Sequence, residues 1–590
     1  MKSSHNFLIK ASEITLIIFW LMTMKDSDSL FIPYLLVGIF GILCCTKRTP
    51  FKKQPQLILV IVFAAILTFF VSIANYSLFL TFSFKDVLLC IVQYLSIVGG
   101  SFVVFYNIFS YLPNLSTHIK NTPAKKSKSK FISKIAKLKP YQIFLISFGA
   151  ISLAYLLVFF LCKYPGNLSF DSLNQVKQGL LNDYSNHHPF LHTIIIKFFV
   201  EIGQNLFGNI NAGVACYSVF QILLTSSIFA FSLSTLHRAR VSPRILIILL
   251  LIYLLTPYHI MYSMTIWKDC MLAIFFLLFV LSCYRLFQNL GVRWPNFVLL
   301  FLSGFCTCVF KGNGLYIIVA FTILFTILFW RNIFVTKKFS PYFIILVSIV
   351  SSAFLYNKII LPAFDVKKGE IMESLSVPAQ QIARVVRDSN DLTANQQELL
   401  GHISNLEKVP IVYNPHLSDP IKEQVWFSSG GEDYLSEHKG EYLKLYLELG
   451  ITHPFDYLHA WADQTKGYFN GGYKYWVISN DITENTLDIY QTNINSAPNK
   501  IFNIYLSLFE DNSTLRIIYC IGFFVWSALG LLYIAIIKHN KTTALLISAP
   551  LFLIATLWLA APVYSEFRYA YPLLCCLPFL AIITLHPSQK

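Results

Sequence analysis

Runs of about twenty apolar residues recur along this chain, and each is long enough to cross a hydrocarbon core as a helix. The chain has 590 residues, of which 55% are hydrophobic and only 13% are charged. Soluble proteins of ordinary composition carry about 25% charged residues. The pattern therefore predicts an all-α polytopic membrane protein with about 13–14 spans and the lipid bilayer as its main environment.

The charged residues are distributed unevenly, and this predicts how the chain is oriented. Residues 362–512 hold 21 acidic and 11 basic residues, although the whole chain has a net charge of +16. The excess of basic residues lies in loops between the apolar runs, which is the positive-inside pattern of cytoplasmic loops. We therefore expect the acidic stretch to lie outside the cell membrane, and we attribute the basic excess to orientation, not to nucleic-acid binding.

These patterns divide the chain into five parts. Residues 163–211 form an outer loop of the membrane module, in which 190–208 is amphipathic and is expected to lie at the membrane boundary as an interfacial or re-entrant helix. The predicted parts are a four-span module at 1–113, a basic cytoplasmic linker at 114–140, a membrane module at 141–362, an acidic and mainly helical extracytoplasmic domain at 363–513, and three last spans within 514–590.

Asp171 is the most unusual carboxylate in the sequence, because it follows an apolar run closely and begins a short amphipathic segment. Leu173 and Val176 would share the apolar face of a helix there, while Asp171 and Gln175 would share the polar face. Such a helix would present its polar row to a cleft at the outer membrane boundary. The alternative is that Asp171 only caps the helix.

Three further polar motifs fall on outer connections between spans in this topology. Charges near the membrane are costly, so their presence usually marks function. The motifs contain Trp267, Lys268 and Asp269; then Lys311 and Asn313; then Glu566, Arg568 and Tyr569. Together with Asp171 they predict an active cleft on the outer face.

His187 and His188 precede a proline that fixes the turn. A histidine pair can bind metal, contact a phosphate or serve only the local structure. Neighbouring side chains usually point apart, which disfavours one shared metal ion. We expect contact with substrate phosphate, and no metal, but the structural alternative stays open.

The cationic side chains have alternatives of their own. Lys268 either pairs with Asp269 at the surface or meets a phosphate, and Lys311 either contacts an anion or extends to solvent from a tight turn. Arg568 is the strongest candidate for anion binding, because its planar guanidinium matches phosphate oxygens. Glu566 either orients Arg568 or forms a plain interface pair with it.

The motifs taken together resemble the GT-C superfamily of membrane glycosyltransferases, and more narrowly an uncharacterised bacterial GT-C-like family. The resemblance covers about 141–586 and leaves out the first four spans. The segments that carry it are Tyr164-Pro165-Gly166, Phe170-Asp171-Ser172, Gln175, His187-His188-Pro189, Trp267-Lys268-Asp269, Gly312-Asn313-Gly314, Val377-Pro378-Ala379-Gln380-Gln381 and Glu566-Phe567-Arg568-Tyr569.

This resemblance implies a GT-C-like helix bundle and transfer of a sugar from a polyprenyl-phosphate donor to a cell-envelope acceptor on the outer face. Asp171 matches the loop aspartate that acts as general base or orients the acceptor, and Arg568 matches the late basic residue that contacts the donor phosphate. Many GT-C enzymes have an adjacent acidic pair, whereas Ser172 follows Asp171 here and Asp183 is the nearest other carboxylate. A mechanism without metal or other cofactor is therefore favoured.

We accordingly expect an inverting glycosyl transfer in which Asp171 accepts the proton of the acceptor hydroxyl. Arg568, with Lys268, Lys311, His187 or His188, would bind the donor phosphate. Residues expected to orient substrate are Gln175, Trp267, Asp269, Asn313, Glu566 and Tyr569.

Other functions remain open from the sequence. A transporter or flippase of lipid-linked saccharides is one, and a polymerase or ligase of such saccharides is another. A non-catalytic scaffold with a sensing domain is a third. Charges clustered at span ends disfavour transport, which places charges near mid-membrane.

Overall fold

A computed structural model shows an all-α membrane protein, as the apolar runs predict. Within the described ranges the chain forms helices joined by turns and irregular segments, with four isolated β-bridges in place of strands. The GT-C likeness of the bundle stays a prediction. The structure describes residues 2–25, 30–47, 54–79, 87–121, 130–389, 391–479, 482–512 and 514–585.

Eleven helices of the described ranges are long and apolar enough to cross a membrane, which confirms a multi-pass membrane protein. One further pair of helices passes the same test together but is bent by 60°, and three apolar helices of 17 residues are slightly shorter. The eleven are Asn6–Lys25, Gln54–Ala74, Leu89–Leu115, Pro140–Cys162, Phe190–Phe207, Ile210–Arg238, Lys268–Phe287, Gly314–Val335, Ser340–Ala363, Lys541–Ala560 and Phe567–Leu585.

The first half of the chain supplies the amino-terminal module and most of the membrane bundle. The helices are α1 (Lys2–Lys25), α2 (Phe31–Lys47), α3 (Gln54–Ala74), α4 (Val87–Asn121), α5 (Lys130–Ala136), α6 (Pro140–Cys162), α7 (Phe170–Leu181), α8 (Phe190–Phe207), α9 (Ile210–Arg238), α10 (Pro243–Leu255), α11 (Pro257–Ser263), α12 (Lys268–Phe287), α13 (Arg293–Val309), α14 (Gly314–Trp330), α15 (Ser340–Leu355) and α16 (Leu361–Ala363). Residues 122–129 of the predicted basic linker lie outside the described residues.

The second half supplies the acidic domain and the last three membrane helices. The helices are α17 (Ser376–Asp388), α18 (Ala394–Gly401), α19 (Val409–Val412), α20 (Asp419–Trp426), α21 (Gly431–Glu437), α22 (Lys439–Thr452), α23 (Pro454–Thr465), α24 (Ala497–Asp511), α25 (Ile521–Ile537), α26 (Lys541–Ala560) and α27 (Phe567–Leu585).

A proline divides one apolar run of the chain into α10 and α11. The ring of Pro257 disfavours helical backbone at the preceding residue, and the chain turns by 60° at this point. α11 is completely buried, so the bend brings the following loop into the interior of the bundle. That loop carries Trp267.

α8 lies alongside only the first turns of α9. His192 is hydrogen-bonded to Tyr217 over 2.6 Å, and a Cβ at Gly203 would lie only 2.4 Å from the Cα of Gly213. α6, by contrast, follows α9 as far as Ser234, whose hydroxyl donates to the Pro140 carbonyl over 2.8 Å. α8 is long and apolar enough to span by itself, so its expected position at the membrane boundary stays a prediction.

The amino-terminal module packs against α25 and the acidic domain. Apolar side chains of α1, α3 and α4 share one core cluster with Trp526 and Tyr533 of α25. On the same side the Tyr34 hydroxyl donates to Asn470 over 2.7 Å, and the ring of Tyr76 stacks on His459 at 3.9 Å. The amino-terminal module is thus attached both to the last three membrane helices and to the acidic domain. The division of the chain into these domains stays a prediction.

The orientation yields a first prediction. Cysteine placed at Asn174 or Ser429, both exposed, will react with a membrane-impermeant maleimide in intact cells. Cysteine at Asn289, in the exposed turn between α12 and α13, will react only after permeabilisation, because the basic residues around it are expected to be cytoplasmic. Equal labelling of Asn289→Cys in intact cells would contradict the orientation.

Candidate functional site at the outer ends of the spans

Two loops between helices are joined by their backbones, and this fixes the frame of the site. The amide of Asn167 donates to the Met264 carbonyl over 3.0 Å, and the amide of Ile266 donates back to Asn167 over 3.0 Å. The Ser172 hydroxyl adds a buried hydrogen bond of 2.6 Å to the Ile266 carbonyl. The loop before α7 and the loop before α12 therefore form one unit.

Ser169, and not Asp171, is the N-cap of α7. The Ser169 amide donates to the hydroxyl of Ser172 over 3.2 Å, and the indole of Trp267 donates to the Ser169 hydroxyl over 2.7 Å. Asp171 lies in the first turn of the helix with its carboxylate directed to Arg568. The alternative in which Asp171 only caps the helix is therefore wrong.

Arg568 is the centre of the site. It lies in the first turn of α27, and one of its terminal nitrogens donates to Asp171 Oδ2 over 2.7 Å. Its Nε lies 3.3 Å from the carboxylate of Glu566, and its guanidinium lies 5.0 Å from the ring centre of Trp267 and 5.2 Å from that of Tyr569. Only 18% of the Arg568 side chain is exposed, so two carboxylates and two aromatic rings enclose a nearly buried cation.

A second ion pair lies beside the first. Lys311 Nζ is 2.6 Å from Asp269 Oδ1, whose side chain is 1% exposed, and it also lies 3.6 Å from the ring centre of Tyr569. Two alternatives that the sequence left open are therefore wrong. Lys268 does not form a surface pair with Asp269, and Lys311 does not extend to solvent. Lys268 donates instead to the backbone carbonyl of His187 over 3.3 Å.

The paired histidines point in different directions. His187 is part-exposed and lies 3.1 Å from the carboxylate of Glu370 in the acidic domain, whereas His188 is 1% exposed. Nδ1 of His188 has no hydrogen-bond partner among the described residues. Among those residues no group of three or more His, Cys, Asp or Glu is arranged to hold a metal ion.

Two residues expected to orient substrate are held in structural contacts. Gln175 is 1% exposed between α7 and α8, where it donates to Thr193 over 3.0 Å and lies 3.0 Å from His192 Nδ1. Asn313 donates to Thr556 of α26 over 2.7 Å. Their hydrogen bonds join neighbouring helices and do not reach the Asp171–Arg568 pair.

An irregular segment between α23 and α24 covers both loops, and the sequence patterns did not predict it. The ring of Trp476 lies 5.7 Å from that of Trp267, and the amide of Thr483 donates to the Leu168 carbonyl over 3.1 Å. The adjacent glycines at 471 and 472 are a local signal for a break in helix, but no local pattern indicates where the segment lies.

A polar cavity of about 450 Å³ opens between α7 and the acidic domain. It begins one helical turn beyond Asp171, at Asn174, and includes the His187–Glu370 contact. Other residues that line it are Lys177, Gln178, Asp183, Lys367 and Trp426.

Burial and charge act in opposite directions on the carboxylates. Burial favours the neutral form of Asp171, but the charges of Arg568 and Lys268 outweigh it and hold its pKa well below the usual range. Glu566 is more deeply buried, and burial raises its pKa to about 7 despite the charge of Arg568. Asp171 is therefore ionised at neutral pH, whereas Glu566 titrates there.

The basic groups outside the spans are also shifted. Burial, reinforced by the charge of Lys268, lowers the pKa of His188 to about 3, so its imidazole is neutral. Burial lowers the pKa of Lys311 to about 8, and Asp269 opposes this shift. Lys311 therefore stays mostly protonated at neutral pH.

The family of the chain carries no assigned activity. A model described as a family of unknown function (DUF6020) matches residues 181–590, which is more than half of the chain. The matched region contains Lys268, Lys311 and Arg568, while Asp171 lies ten residues before it. Searches of curated proteins and of solved structures found no match.

The buried ion pair of Lys311 and Asp269 yields a second prediction. Lys311→Met will lower the free energy of unfolding by about 3–5 kcal/mol, because it leaves the Asp269 carboxylate buried without its counter-charge. Combining Lys311→Met with Asp269→Leu will restore most of the lost free energy, since neither charge of this pair then remains. The measurement is thermal unfolding of the full chain in detergent.

Lys367→Met is the matched control, because Lys367 pairs with Asp183 over 2.6 Å but both side chains are more than half exposed. It should change the free energy of unfolding by less than about 1 kcal/mol. A double variant as unstable as Lys311→Met alone would show that the buried charges are not coupled.

Proposed function

We propose that this chain, which belongs to the DUF6020 family of unknown function, is a GT-C-type membrane glycosyltransferase. It would transfer a sugar from a polyprenyl-phosphate donor to an acceptor of the cell envelope on the extracytoplasmic face. The reaction would be inverting, with Asp171 as the base and Arg568 as the main ligand of the donor phosphate.

The observation that carries the proposal is the Asp171–Arg568 pair. A base and an anion-binding guanidinium are 2.7 Å apart at the ends of two elements that are separated by 397 residues in sequence. Both lie where membrane helices meet an outer domain, which is where a lipid-linked phosphate and a water-soluble acceptor can meet. Lys268 and Lys311 add two further cations to the same region.

The chemistry assigned to these groups is a single displacement. The acceptor hydroxyl oxygen forms the new bond to the anomeric carbon, and the bond from that carbon to the phosphate oxygen breaks. Asp171 accepts the hydroxyl proton, and the lipid phosphate leaves with the bonding electron pair. Arg568 stabilises the charge that grows on the leaving oxygen, and the phosphate needs no proton to leave.

Without a bound donor, the ion pair with Arg568 lowers the basicity of the Asp171 carboxylate. A carboxylate whose pKa is held low by a guanidinium is a poor proton acceptor. A donor phosphate would compete for the same guanidinium, and its binding would release Asp171 and raise the basicity of the carboxylate. Proton abstraction would thus be coupled to the presence of the donor.

The polar cavity beyond α7 is the place we assign to the acceptor. Its amide, carboxylate and lysine side chains, with one indole, match the hydroxyl groups and apolar ring faces of a saccharide. Several aromatic residues of the acidic domain belong to the core instead, as Tyr442, Tyr468 and Tyr473 are all buried. Trp426 contributes the aromatic surface instead.

A third prediction separates the two members of the central pair. Asp171→Asn will lower kcat by about 10²–10⁴-fold, because the base is lost. It will not raise the KM for the donor, because Arg568 is freed from its carboxylate. Arg568→Lys will raise the donor KM by about 10- to 100-fold, the loss expected for a hydrogen bond to a charged group. The measurement is transfer from defined polyprenyl-phosphate sugars in proteoliposomes.

Glu201→Gln is the control for Asp171→Asn, because it removes a carboxylate of the same predicted outer loop, one that pairs at the surface with Lys197 over 3.6 Å and does not line the polar cavity. It should leave both constants close to those of the parent protein. Unchanged turnover in folded Asp171→Asn would refute the role of the base. Transfer of an oligosaccharide in place of a single sugar would favour the polymerase or ligase alternative.

A fourth prediction concerns pH. Glu566 is neutral below its pKa of about 7 and negative above it, so Arg568 faces one more anion at high pH. The donor KM should therefore rise as the pH passes from 6 to 8, while Asp171, ionised throughout, contributes no inflection. Glu566→Gln should remove the inflection near pH 7 and leave only the rise of KM toward pH 8 that accompanies deprotonation of Lys311; an inflection near pH 7 that persists in that variant would contradict the assignment.

A further inference from the structure

The acidic domain encloses a second cavity whose chemistry is opposite to that of the site. Its volume is about 340 Å³, and α17, α18, α20, α21 and α22 enclose it. The lining is almost entirely aliphatic and aromatic, with Ile382, Val386 and Leu435 as typical members. Protein interiors are normally close-packed, so an apolar void of this size inside a small domain is unusual.

The two tyrosine hydroxyls of the lining are already used within the protein. The Tyr442 hydroxyl donates to the Leu399 carbonyl over 2.6 Å, and the Tyr446 hydroxyl donates to Gln381 over 2.7 Å. Ordered water needs two or more polar partners, and this lining offers it few. An apolar cavity of about 150 Å³ is enough to hold a benzene molecule, so this one has room for a hydrocarbon.

An apolar row on α22 leads away from the cavity. Leu443 lines the cavity and is also 59% exposed, and Leu447 and Ile451 follow it at four-residue intervals with exposed fractions of 56% and 80%. Residues four apart lie on one face of a helix. The row is extended by Phe455, which is 73% exposed at the start of α23, beyond the break at His453. Large apolar side chains rarely form such an exposed row unless something covers them.

The far end of this row lies at the outer end of a membrane helix. The ring of Phe455 is 6.5 Å from that of His459, and His459 stacks at 3.9 Å on Tyr76, which follows α3 by two residues. The row therefore connects the membrane boundary with the cavity. At its other end lies Lys439, which is exposed and contributes to the cavity lining one turn before Leu443.

We propose that the acidic domain binds the hydrocarbon chain of an anionic membrane lipid in this cavity. The chain enters from the bilayer along the α22 row, and Lys439 at the mouth binds the charged head group. An acyl phospholipid and a polyprenyl phosphate share this chemistry, a long apolar chain with an anionic head. The inference does not depend on glycosyl transfer, because it uses no residue of the Asp171–Arg568 site.

The test uses the full chain in phosphatidylcholine vesicles with a trace of photoactivatable lipid. The probes are phosphatidylglycerol and phosphatidylcholine with a diazirine in the acyl chain, and a polyprenyl phosphate with a diazirine in its chain. After illumination, mass spectrometry locates the labelled peptides. We expect label on the peptides of α17 and α22, and a comparison of the acyl and polyprenyl probes identifies which lipid is preferred.

Two variants make the test specific. Ala379→Phe places a ring in the cavity and should abolish labelling there, whereas Ala394→Phe, at an exposed position on α18, should not. Lys439→Gln is a surface change, and it should lower labelling by the anionic probe about fivefold, the loss expected for one lysine near an anionic head group, while sparing the phosphatidylcholine probe.

Two outcomes would overturn the proposal. One is label confined to the membrane helices in the parent protein. The other is cavity labelling that persists unchanged in folded Ala379→Phe. Protection of the α22 row by a co-purifying protein, with no lipid label in the cavity, would likewise assign this surface to a protein partner and refute a lipid ligand.

Discussion

The contact between Asp171 and Arg568 is the constraint on which the outer half of the molecule depends. It joins the first turn of α7 to the first turn of α27, so the loop that follows α6 must lie beside the amino-terminal end of α27. A guanidinium that is nearly buried is stable only where carboxylates and aromatic faces surround it. Trp267 and Glu566, on connections between helices, and Tyr569, in the first turn of α27, supply that environment.

Hydropathy and charge predicted much of this arrangement, because both are local properties of the sequence. The spans and the loops that meet at the site follow from the lengths of apolar runs. The side of the membrane on which these loops lie stays a prediction from the positions of lysine and arginine. Asp171 and Arg568 could be identified as members of one site, and the structure does pair them. The roles of these residues toward a substrate, and the likeness to the GT-C superfamily, stay predictions.

The partners of individual side chains could not be predicted in the same way. Asp269 follows Lys268 directly, yet it pairs with Lys311, which is 42 residues away, because the rotation of α12 directs its carboxylate inward. Gln175 shares a helical face with Asp171, but α8 packs over that part of α7, and the side-chain amide of Gln175 donates a hydrogen bond to Thr193 of α8. Such outcomes depend on how helices rotate and pack, which the spacing of residues along one helix does not determine.

The charges of the site balance in a way that links proton binding to anion binding. Among the described residues, Arg568, Lys268 and Lys311 face the carboxylates of Asp171, Asp269 and Glu566, so full ionisation leaves the site neutral. Burial of Glu566 moves its titration to about pH 7, and in its neutral form the site keeps one uncompensated positive charge. An anion that binds there must favour the protonated form of Glu566, and by linkage its binding raises the pKa of that carboxyl further. A phosphate and a proton would then bind to this site cooperatively, and release of one would lower the affinity of the site for the other.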